Sequence, residues 1–267
     1  VKIVLESHGD FIETIALEKK LLIPAIYKKL FKLFSSYSIK NADQIRSISS
    51  FTEEQVKAYG YKGSFVRFPA WINLDKFLVV ESVRDTNDYF KIILVGSVTD
   101  RKNPKLVVRA ISKIDSEISL EIIGPTPNKT YLNELEESIS KSQHKENILL
   151  TPFIPIDELI QKYSNANLFI LPSKSEGLGR VVIEAQATAC PVLISSNTGA
   201  VDLIIDYETG YIFENDNLED LKDKIKNIID NQQHSVQVGL NGKIFVAQNH
   251  TIENFKFGYK KLFDLVS

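Results

Sequence analysis

The feature that most constrains the fold is a repeated alternation between short apolar runs and segments with helical spacing across residues 90 to 230. The runs are rich in branched side chains and mostly lack polar alternation, which is typical of strands covered on both faces. One intervening segment places Leu218, Leu221 and Ile225 on a single helical face behind Asn217 as N-cap. The alternation predicts a doubly wound parallel α/β sheet. We assign its strands to residues 92–95, 120–123, 148–150, 168–171 and 192–194.

The first 80 residues carry fewer such units, too few to close a sheet of their own. The C-terminal segment places Phe255, Tyr259 and Leu262 on an apolar stripe that has to be buried. We therefore expect a partial N-terminal domain at 1–75, joined by the C-terminal helix at 250–267, and a complete domain at 76–249. Within the partial domain we predict strands at 1–5, 44–48 and 64–68, one or two helices at 12–37, and a helix at 51–59 opened by Thr52.

Composition excludes several classes of protein. Hydrophobic residues make up 43% and charged residues 25%, which are globular values, and the net charge of −2 gives no reason to expect nucleic-acid binding. A single cysteine excludes a disulfide framework and a multi-cysteine zinc site, and it fits a reducing compartment. No apolar run approaches the ~20 residues of a membrane span, and no signal peptide opens the chain. We therefore expect a cytoplasmic protein.

The segment from Leu171 to Glu184 follows a predicted strand and leads into a predicted helix. Ligands of open parallel sheets bind beyond the carboxyl ends of the strands, so a site is expected here. Gly177 and Gly179 allow the backbone to approach a ligand closely. The helix that begins near Arg180 offers free N–H groups to an anion such as phosphate. Glu184 lies ~7 Å along that helix from Gly179, at ~1.5 Å per residue, within reach of a ribose.

Glu176 precedes the glycines and would face the opposite end of a bound pyrophosphate, where another hydroxyl-rich group would sit. A second interpretation explains the segment equally well, namely a helix N-terminus with two solvated glutamates. The spacing of the residues alone does not decide between the two, because a glycine pair beside glutamates is common.

The sequence Glu176-Gly-Leu-Gly followed by Glu184 resembles the Glu-x7-Glu motif of family 4 glycosyltransferases, which are retaining enzymes of the GT-B fold. The resemblance implies one complete Rossmann-like domain and a partial second one, because members normally carry roughly another hundred residues before the strand that precedes His8. We therefore expect the chain to be truncated at its N-terminus. Further motifs in the family's order are Val95-Gly96 through Lys102, Ile123-Gly124-Pro125, Phe153-Ile-Pro, Pro172-Ser173, Pro191-Val192, Thr198-Gly199 and Glu208-Thr-Gly210.

The resemblance implies a role for each matching residue. Glu184 would hold the ribose hydroxyls and Glu176 a hydroxyl of the transferred sugar, while Lys102 would neutralise the leaving diphosphate. His8 resembles the histidine that faces the donor sugar from the first domain, although a lone histidine at a strand end is usually structural. The catalytic set is therefore His8, Lys102 and Glu176. The donor-binding set is Gly96, Ser97, Arg101, Lys102, Gly124, Phe153, Ile154, Glu176, Gly177, Leu178, Gly179, Arg180 and Glu184, with Phe153 and Ile154 bordering the base.

Ser97 departs from the family pattern, which usually has arginine after the first glycine. Arg101, beside Lys102, is expected to supply the second charge, and Arg180 to assist near the phosphates. The competing interpretations are a solvated helix start and an exposed surface arginine. No acidic cluster of the kind that holds Mg²⁺ stands out, so we expect neither a metal nor a cofactor. The remaining histidines match no motif and are interpreted as surface residues: His144, His234 and His250.

These features predict a retaining transfer of a sugar from a nucleoside-diphosphate sugar to a glycan or lipid-linked acceptor, through an oxocarbenium-like state. One alternative is a non-catalytic fragment that binds nucleotide sugars and needs a missing N-terminal half or a partner chain. Another is a nucleotide-sugar epimerase of the same fold, which would need additional acid/base carboxylates in the cleft.

Residues 19–34 mix lysines with apolar residues in a pattern typical of a basic amphipathic helix. Such a helix can lie on an anionic membrane surface, which would suit a lipid-linked acceptor and place the protein peripherally on the inner face of the membrane. The competing interpretation is a helix packed on one face and solvated on the other.

Overall fold

The computed structural model describes residues 2–9, 24–82, 84 and 89–267. Three predictions fall partly outside these residues. They concern position 1 of the first strand, positions 12–23 of the first helical segment, and positions 19–23 of the basic amphipathic segment.

The larger of two parallel sheets contains β4 (Phe90–Val95), β5 (Ile118–Ile123), β6 (Ile148–Thr151), β7 (Leu168–Leu171), β8 (Val192–Ser195) and β9 (Tyr211–Phe213). Their spatial order is β6-β5-β4-β7-β8-β9, and each neighbouring pair is parallel. The order reverses between β4 and β7, and ligands of open parallel sheets bind at such a point, beyond the carboxyl ends of the strands. This architecture confirms the predicted α/β fold and adds β9, which the sequence analysis did not assign.

Helices connect these strands and cover both faces of the larger sheet. On β4, Ile92 and Leu94 contribute to one core cluster and Ile93 to the other. Because both faces of the strand are buried, its sequence is a continuous apolar run. The helices are α3 (Asp75–Leu78), α4 (Pro104–Ile111), α5 (Lys129–Ser140), α6 (Ile156–Asn165), α7 (Arg180–Ala187), α8 (Leu218–Asp230) and α9 (Gln232–Asn249).

The smaller sheet contains β1 (Val4–Ser7), β2 (Gln44–Ser47) and β3 (Phe65–Arg67), in that order and all parallel. Its described helices are α1 (Pro24–Lys40) and α2 (Ser50–Ala58). The N-cap of α2 is Ser49, and Thr52 is its partner in a capping box. The prediction that Thr52 opens the helix was therefore wrong, because each side chain accepts a hydrogen bond from the other residue's backbone N–H.

The C-terminal helix α10 (Ile252–Asp264) packs against the smaller sheet. The Phe68 ring lies 5.0 Å from the Tyr259 ring and 5.8 Å from the Phe255 ring, both edge to face. Leu262 is buried in the same cluster. Phe68, the residue that follows β3, thus covers the apolar stripe of helix α10.

Two histidines interpreted as surface residues are buried, so that interpretation was wrong for His144 and His250. His144 Nε2 lies 3.1 Å from the carbonyl oxygens of Ile111 and Ile114, to which it donates. His250 follows α9, and its burial lowers its pKa to about 4. Sequence pattern did not reveal either burial, because both residues follow helices in segments without apolar periodicity.

Candidate active site

The loops that follow β4 and β7 face each other at the point where the strand order reverses. The Lys174 N–H donates to the Arg101 carbonyl at 2.8 Å, and Arg101 Nη1 donates to the Ser175 carbonyl at 3.0 Å. These reciprocal bonds join the loop of residues 96–103 to the loop of residues 172–179. The two predicted motifs, which are more than 70 residues apart in the chain, form one surface.

Glu176 lies between two cations on this surface. Its Oε2 is bonded to Lys102 Nζ, and Arg101 Nη1 lies 3.3 Å from the same oxygen. All three side chains are less than one fifth exposed, so water screens their charges only partly. The structure therefore brings together three of the residues predicted to bind the donor, with one positive charge in excess.

Gly96 and Gly124 allow the ends of β4 and β5 to approach each other. Both residues have positive φ angles, 147° and 149°, and a Cβ on Gly124 would overlap the Gly96 carbonyl oxygen. The Lys102 side chain passes directly over Gly96, where a Cβ would lie 3.4 Å from its Cε. Ser97 lines a small cavity with Gly96 and Lys102. Two residues predicted to bind the donor, Gly96 and Ser97, therefore lie beside the Lys102 side chain.

Gly177, Leu178 and Gly179 form a turn, called the glycine turn below. It contacts the smaller sheet through Gly177. A Cβ at Gly177 would overlap the carbonyl oxygen of His8 and lie 2.9 Å from Gly9 Cα. Ser49 Oγ, which is buried, donates to the Gly177 carbonyl at 2.6 Å. The ends of β1 and β2 thus meet the turn directly, and this contact brings His8 beside it.

Helix α7 begins immediately after Gly179, which has a φ angle of 74°. Leu178 is buried, whereas Arg180 is exposed at the first position of the helix. The first-turn N–H groups of α7 therefore follow directly on the turn that carries Glu176, with the Arg180 charge at the first helical position.

Glu184 is one turn into α7 and is half-buried. Burial raises the pKa of its carboxyl above the ordinary value, while the Arg180 charge and a hydrogen bond from Tyr163 oppose that rise. The fully buried Tyr163 donates this bond from its hydroxyl at 3.4 Å. The structure thus holds the Glu184 carboxyl against a buried phenol, on the helix that follows the glycine turn.

Phe153 and Ile154 lie in the loop after β6, on the same edge of the sheet as the other predicted residues. Ile154 is buried, whereas Phe153 is 83% exposed. Such exposure of a large aromatic ring leaves its face available to a planar partner. Among the described contacts, none joins Phe153 to Glu184 or to the glycine turn.

A model of the protein family described as "Glycosyl transferases group 1" matches residues 79–245, which is more than half of the chain. The chain belongs to this family. The matched residues include both loops of the candidate site, 96–103 and 172–179.

Two relatives illustrate the family. The capsular polysaccharide biosynthesis glycosyltransferase CapM of Staphylococcus aureus is 31% identical over 165 residues, which are 59% of this chain and 41% of CapM. A GDP-mannose-dependent alpha-(1-6)-phosphatidylinositol monomannoside mannosyltransferase of Mycolicibacterium smegmatis is 22% identical over 227 residues, which are 78% of this chain and 59% of that protein. The chain therefore spans less than two thirds of the length of either relative.

A solved structure supports the fold. Anabaena HepE in complex with UDP-glucose superposes with a TM-score of 0.81 at 13% identity, covering 98% of this chain and 72% of that chain. The present chain therefore has the GT-B fold, with Rossmann-like parallel sheets.

The structure also shows bonds that the sequence analysis missed. Asp202 accepts from the Ser50 N–H at 2.6 Å and lies 3.7 Å from Arg67 Nη1. A carboxylate at the start of α2 is favoured by the helix dipole. The spacing of Ser49 and Thr52 is a capping signal visible in the sequence, but nothing near Asp202 marks it as a partner of the smaller sheet.

Within residues 2–9, 24–82, 84 and 89–267, no group of three or more metal-ligating side chains is placed to hold a metal ion. Among the helices of this same described part, none has the length and apolar character needed to cross a membrane.

Proposed function

We propose that this chain acts in a retaining, family 4 transfer of a sugar from a nucleoside-diphosphate sugar to a glycan or lipid-linked acceptor. The observation that carries the proposal is the convergence of Lys102 and Arg101 on Glu176, beside the glycine turn that His8 touches from the smaller sheet. Cations, helix N–H groups and a carboxylate for a sugar hydroxyl are the chemical groups that such a donor requires.

Without donor, Glu176 neutralises one of the two cations. A bound diphosphate would compete for Lys102 and Arg101, and Glu176 would then accept a hydroxyl of the sugar. Charge on the diphosphate grows as the bond from its oxygen to the anomeric carbon breaks. The two cations therefore stabilise the transition state more than the ground state.

The positions of the other predicted residues indicate which part of the donor each would contact. The first turn of α7, with Gly177, Leu178 and Gly179, would bind the phosphates through backbone N–H groups. Glu184, held by Tyr163, would accept the ribose hydroxyls, and the exposed Phe153 with Ile154 would border the base. In a retaining transfer the acceptor attacks the face that the diphosphate leaves.

The share of the relatives that the chain covers, 41% and 59%, supports an acceptor-side domain that is incomplete in residues 1–75 and 250–267. Residues 76–249 would then form the donor-binding domain. A second candidate function, a nucleotide-sugar-binding unit that needs further polypeptide for catalysis, is favoured by this same coverage. Donor binding is common to both functions, so it is the property to test first.

Helix α1 supports a peripheral membrane contact at the inner face of the membrane. In its described part, the apolar side chains Ile26, Leu33 and Phe34 are exposed beside the exposed Lys29 and Lys32. Apolar residues flanked by lysines favour an anionic lipid surface. Sedimentation with vesicles of anionic phospholipid should carry the chain into the pellet, whereas vesicles of neutral phospholipid should not. Equal sedimentation with both would contradict an electrostatic contact.

The decisive experiment is calorimetric titration of the folded chain with UDP, GDP and ADP. At least one of these nucleotides should bind, and Lys102→Ala should weaken that binding by about 1.5–3 kcal/mol, as expected for a hydrogen bond to a charged group. Lys105→Ala is the matched control, because Lys105 lies three residues away in the chain and pairs with Glu134 on the surface. Failure of all three nucleotides to bind the folded chain would refute the donor site.

A further inference from the structure

Glu6 and His8 lie two residues apart at the end of β1, so their side chains project from the same side of the strand. His8 Nε2 lies 2.9 Å from Glu6 Oε2. The His8 side chain is 56% exposed, and its backbone carbonyl adjoins Gly177 of the glycine turn. The imidazole is therefore accessible to a ligand, one of its nitrogens is held by Glu6, and its backbone lies beside the glycine turn of the proposed donor site.

The Glu6 carboxylate is held on both oxygens. Its Oε1 accepts from the Tyr259 hydroxyl at 2.6 Å, and its Oε2 also accepts from Arg46 Nη1 at 2.9 Å. Partial burial alone would raise the pKa of this carboxyl, but the bonds from Tyr259, His8 and Arg46 outweigh burial and lower it. Glu6 is therefore ionised and accepts hydrogen bonds without donating any.

Arg46 makes this arrangement rigid. Its side chain is only 2% exposed, and its guanidinium carbon lies 4.2 Å from the centre of the Phe68 ring. Its Nη2 donates to the Pro69 carbonyl at 3.2 Å. Strand β2, the segment after β3 and helix α10 therefore all determine where Glu6 places its oxygens.

An acceptor opposite Nε2 determines which ring nitrogen of His8 carries the proton. Nε2 has to be the donor, because the carboxylate oxygen can only accept. In a neutral imidazole, Nδ1 then holds a lone pair and accepts a hydrogen bond.

We propose that Glu6 is a positioning residue, which fixes His8 as the Nε2–H tautomer. Nδ1 then accepts a hydrogen bond from a hydroxyl of the donor sugar. This inference rests on the proposed function, because the ligand that meets His8 is the sugar of the nucleoside-diphosphate donor. It adds a specificity element, since His8 then selects a sugar that offers a hydroxyl at that position.

The first test measures the tautomer directly in the unmodified chain. Long-range ¹H–¹⁵N correlation spectra of the folded chain identify the protonated nitrogen of the neutral His8 ring, with His8→Ala used to assign its signals. The proton should reside on Nε2. A neutral ring protonated on Nδ1 would overturn the proposal.

The second test measures the gain in affinity that the sugar provides, by titrating UDP against UDP-glucose and GDP against GDP-mannose. His8→Ala and Glu6→Leu should each reduce that gain by roughly three- to tenfold, the loss expected for one hydrogen bond. The affinity for the nucleotide alone should not change. Glu6→Gln should keep most of the gain, because its amide oxygen still accepts from Nε2, whereas Glu253→Gln on the surface of α10 should have no effect.

The double variant Glu6→Leu/His8→Ala separates positioning from a merely structural role. If Glu6 acts through His8, the double variant should lose no more of the gain than His8→Ala alone. Additive losses, or equal weakening of nucleotide and nucleotide sugar, would overturn the positioning role while the proposed function stands. If UDP, GDP and ADP all fail to bind, the proposed function fails, and the role of Glu6 fails with it. Should Glu6→Leu not fold, the spectra of the unmodified chain and the Glu6→Gln titration still decide.

Discussion

Gly177→Ala tests the contact between the glycine turn and the smaller sheet. The added Cβ would overlap the His8 carbonyl oxygen and lie 2.9 Å from Gly9 Cα. Both neighbours are backbone atoms, so no side-chain rotation can relieve the clash. The turn or the end of β1 has to move, and the 2.6 Å bond from Ser49 Oγ to the Gly177 carbonyl is strained with it.

The size of the effect follows from two opposing contributions. Forcing a methyl group into a packed site costs about 1–3 kcal/mol. Replacing glycine by alanine also reduces the entropy of the unfolded chain, which stabilises by about 0.4–1 kcal/mol where the backbone accepts alanine. Gly177 does not have a positive φ angle, so this second contribution applies. The net destabilisation should be about 1–2 kcal/mol.

Equilibrium urea unfolding followed by circular dichroism measures this difference, and titration with the nucleotide that binds shows whether the displaced turn still holds a donor. Gly9→Ala is the matched control on the opposite side of the same contact. Among the residues that the structure describes, a Cβ at Gly9 would meet only Gly177 Cα, at 3.9 Å, which is an ordinary contact distance. The reasoning fails if Gly177→Ala proves as stable as Gly9→Ala.

Three further predictions concern single residues. Glu184→Ala should weaken nucleoside-diphosphate binding by about 1–3 kcal/mol in calorimetry. Glu158→Ala, on the exposed face of α6, is the control and should not weaken it. An unchanged affinity for Glu184→Ala would count against its ribose role. Asp202→Ala should lower the free energy of unfolding in urea by about 0.5–2 kcal/mol, the usual cost of losing a capping acceptor, because only water then accepts from the first N–H of α2. A neutral effect would show that this bond does not stabilise the fold. The His250 pKa is lowered from 6.5 to about 4 by burial, so the unfolded chain binds the proton first as pH falls. Stability should therefore decrease by about 3 kcal/mol between about pH 6.5 and 4. In urea unfolding at several pH values, His250→Gln should remove that decrease and the exposed His234→Gln should keep it.

The strands of the larger sheet were predictable because both of their faces are buried. Ile92, Ile93 and Leu94 alternate between two core clusters, so burial appears in the sequence as a continuous apolar run. Strand β9 was missed because it is three residues long, too short for periodicity to separate it from a loop. The buried His144 and His250 were missed because an isolated histidine carries no pattern.

The candidate site was predictable where its residues belong to a motif. Lys102, Glu176 and the glycines were selected from the sequence, and the structure brings them together. Glu6 and Asp202 were not selected, since each is a single acidic residue outside the motifs and has partners that are distant in the chain. The bonds of Glu6 to Arg46 and Tyr259 exist only because β1, β2 and helix α10 meet at one place. Those of Asp202 exist only because it lies beside α2 and β3.

The sequence by itself determined the α/β architecture and the position of the glycine turn, because apolar periodicity and glycine placement act over a few residues. The tertiary structure alone decided which loops face each other. Contacts such as Ser49 with Gly177 join residues 128 positions apart. They depend on the order of the strands and on how the two sheets pack, and a local pattern contains neither.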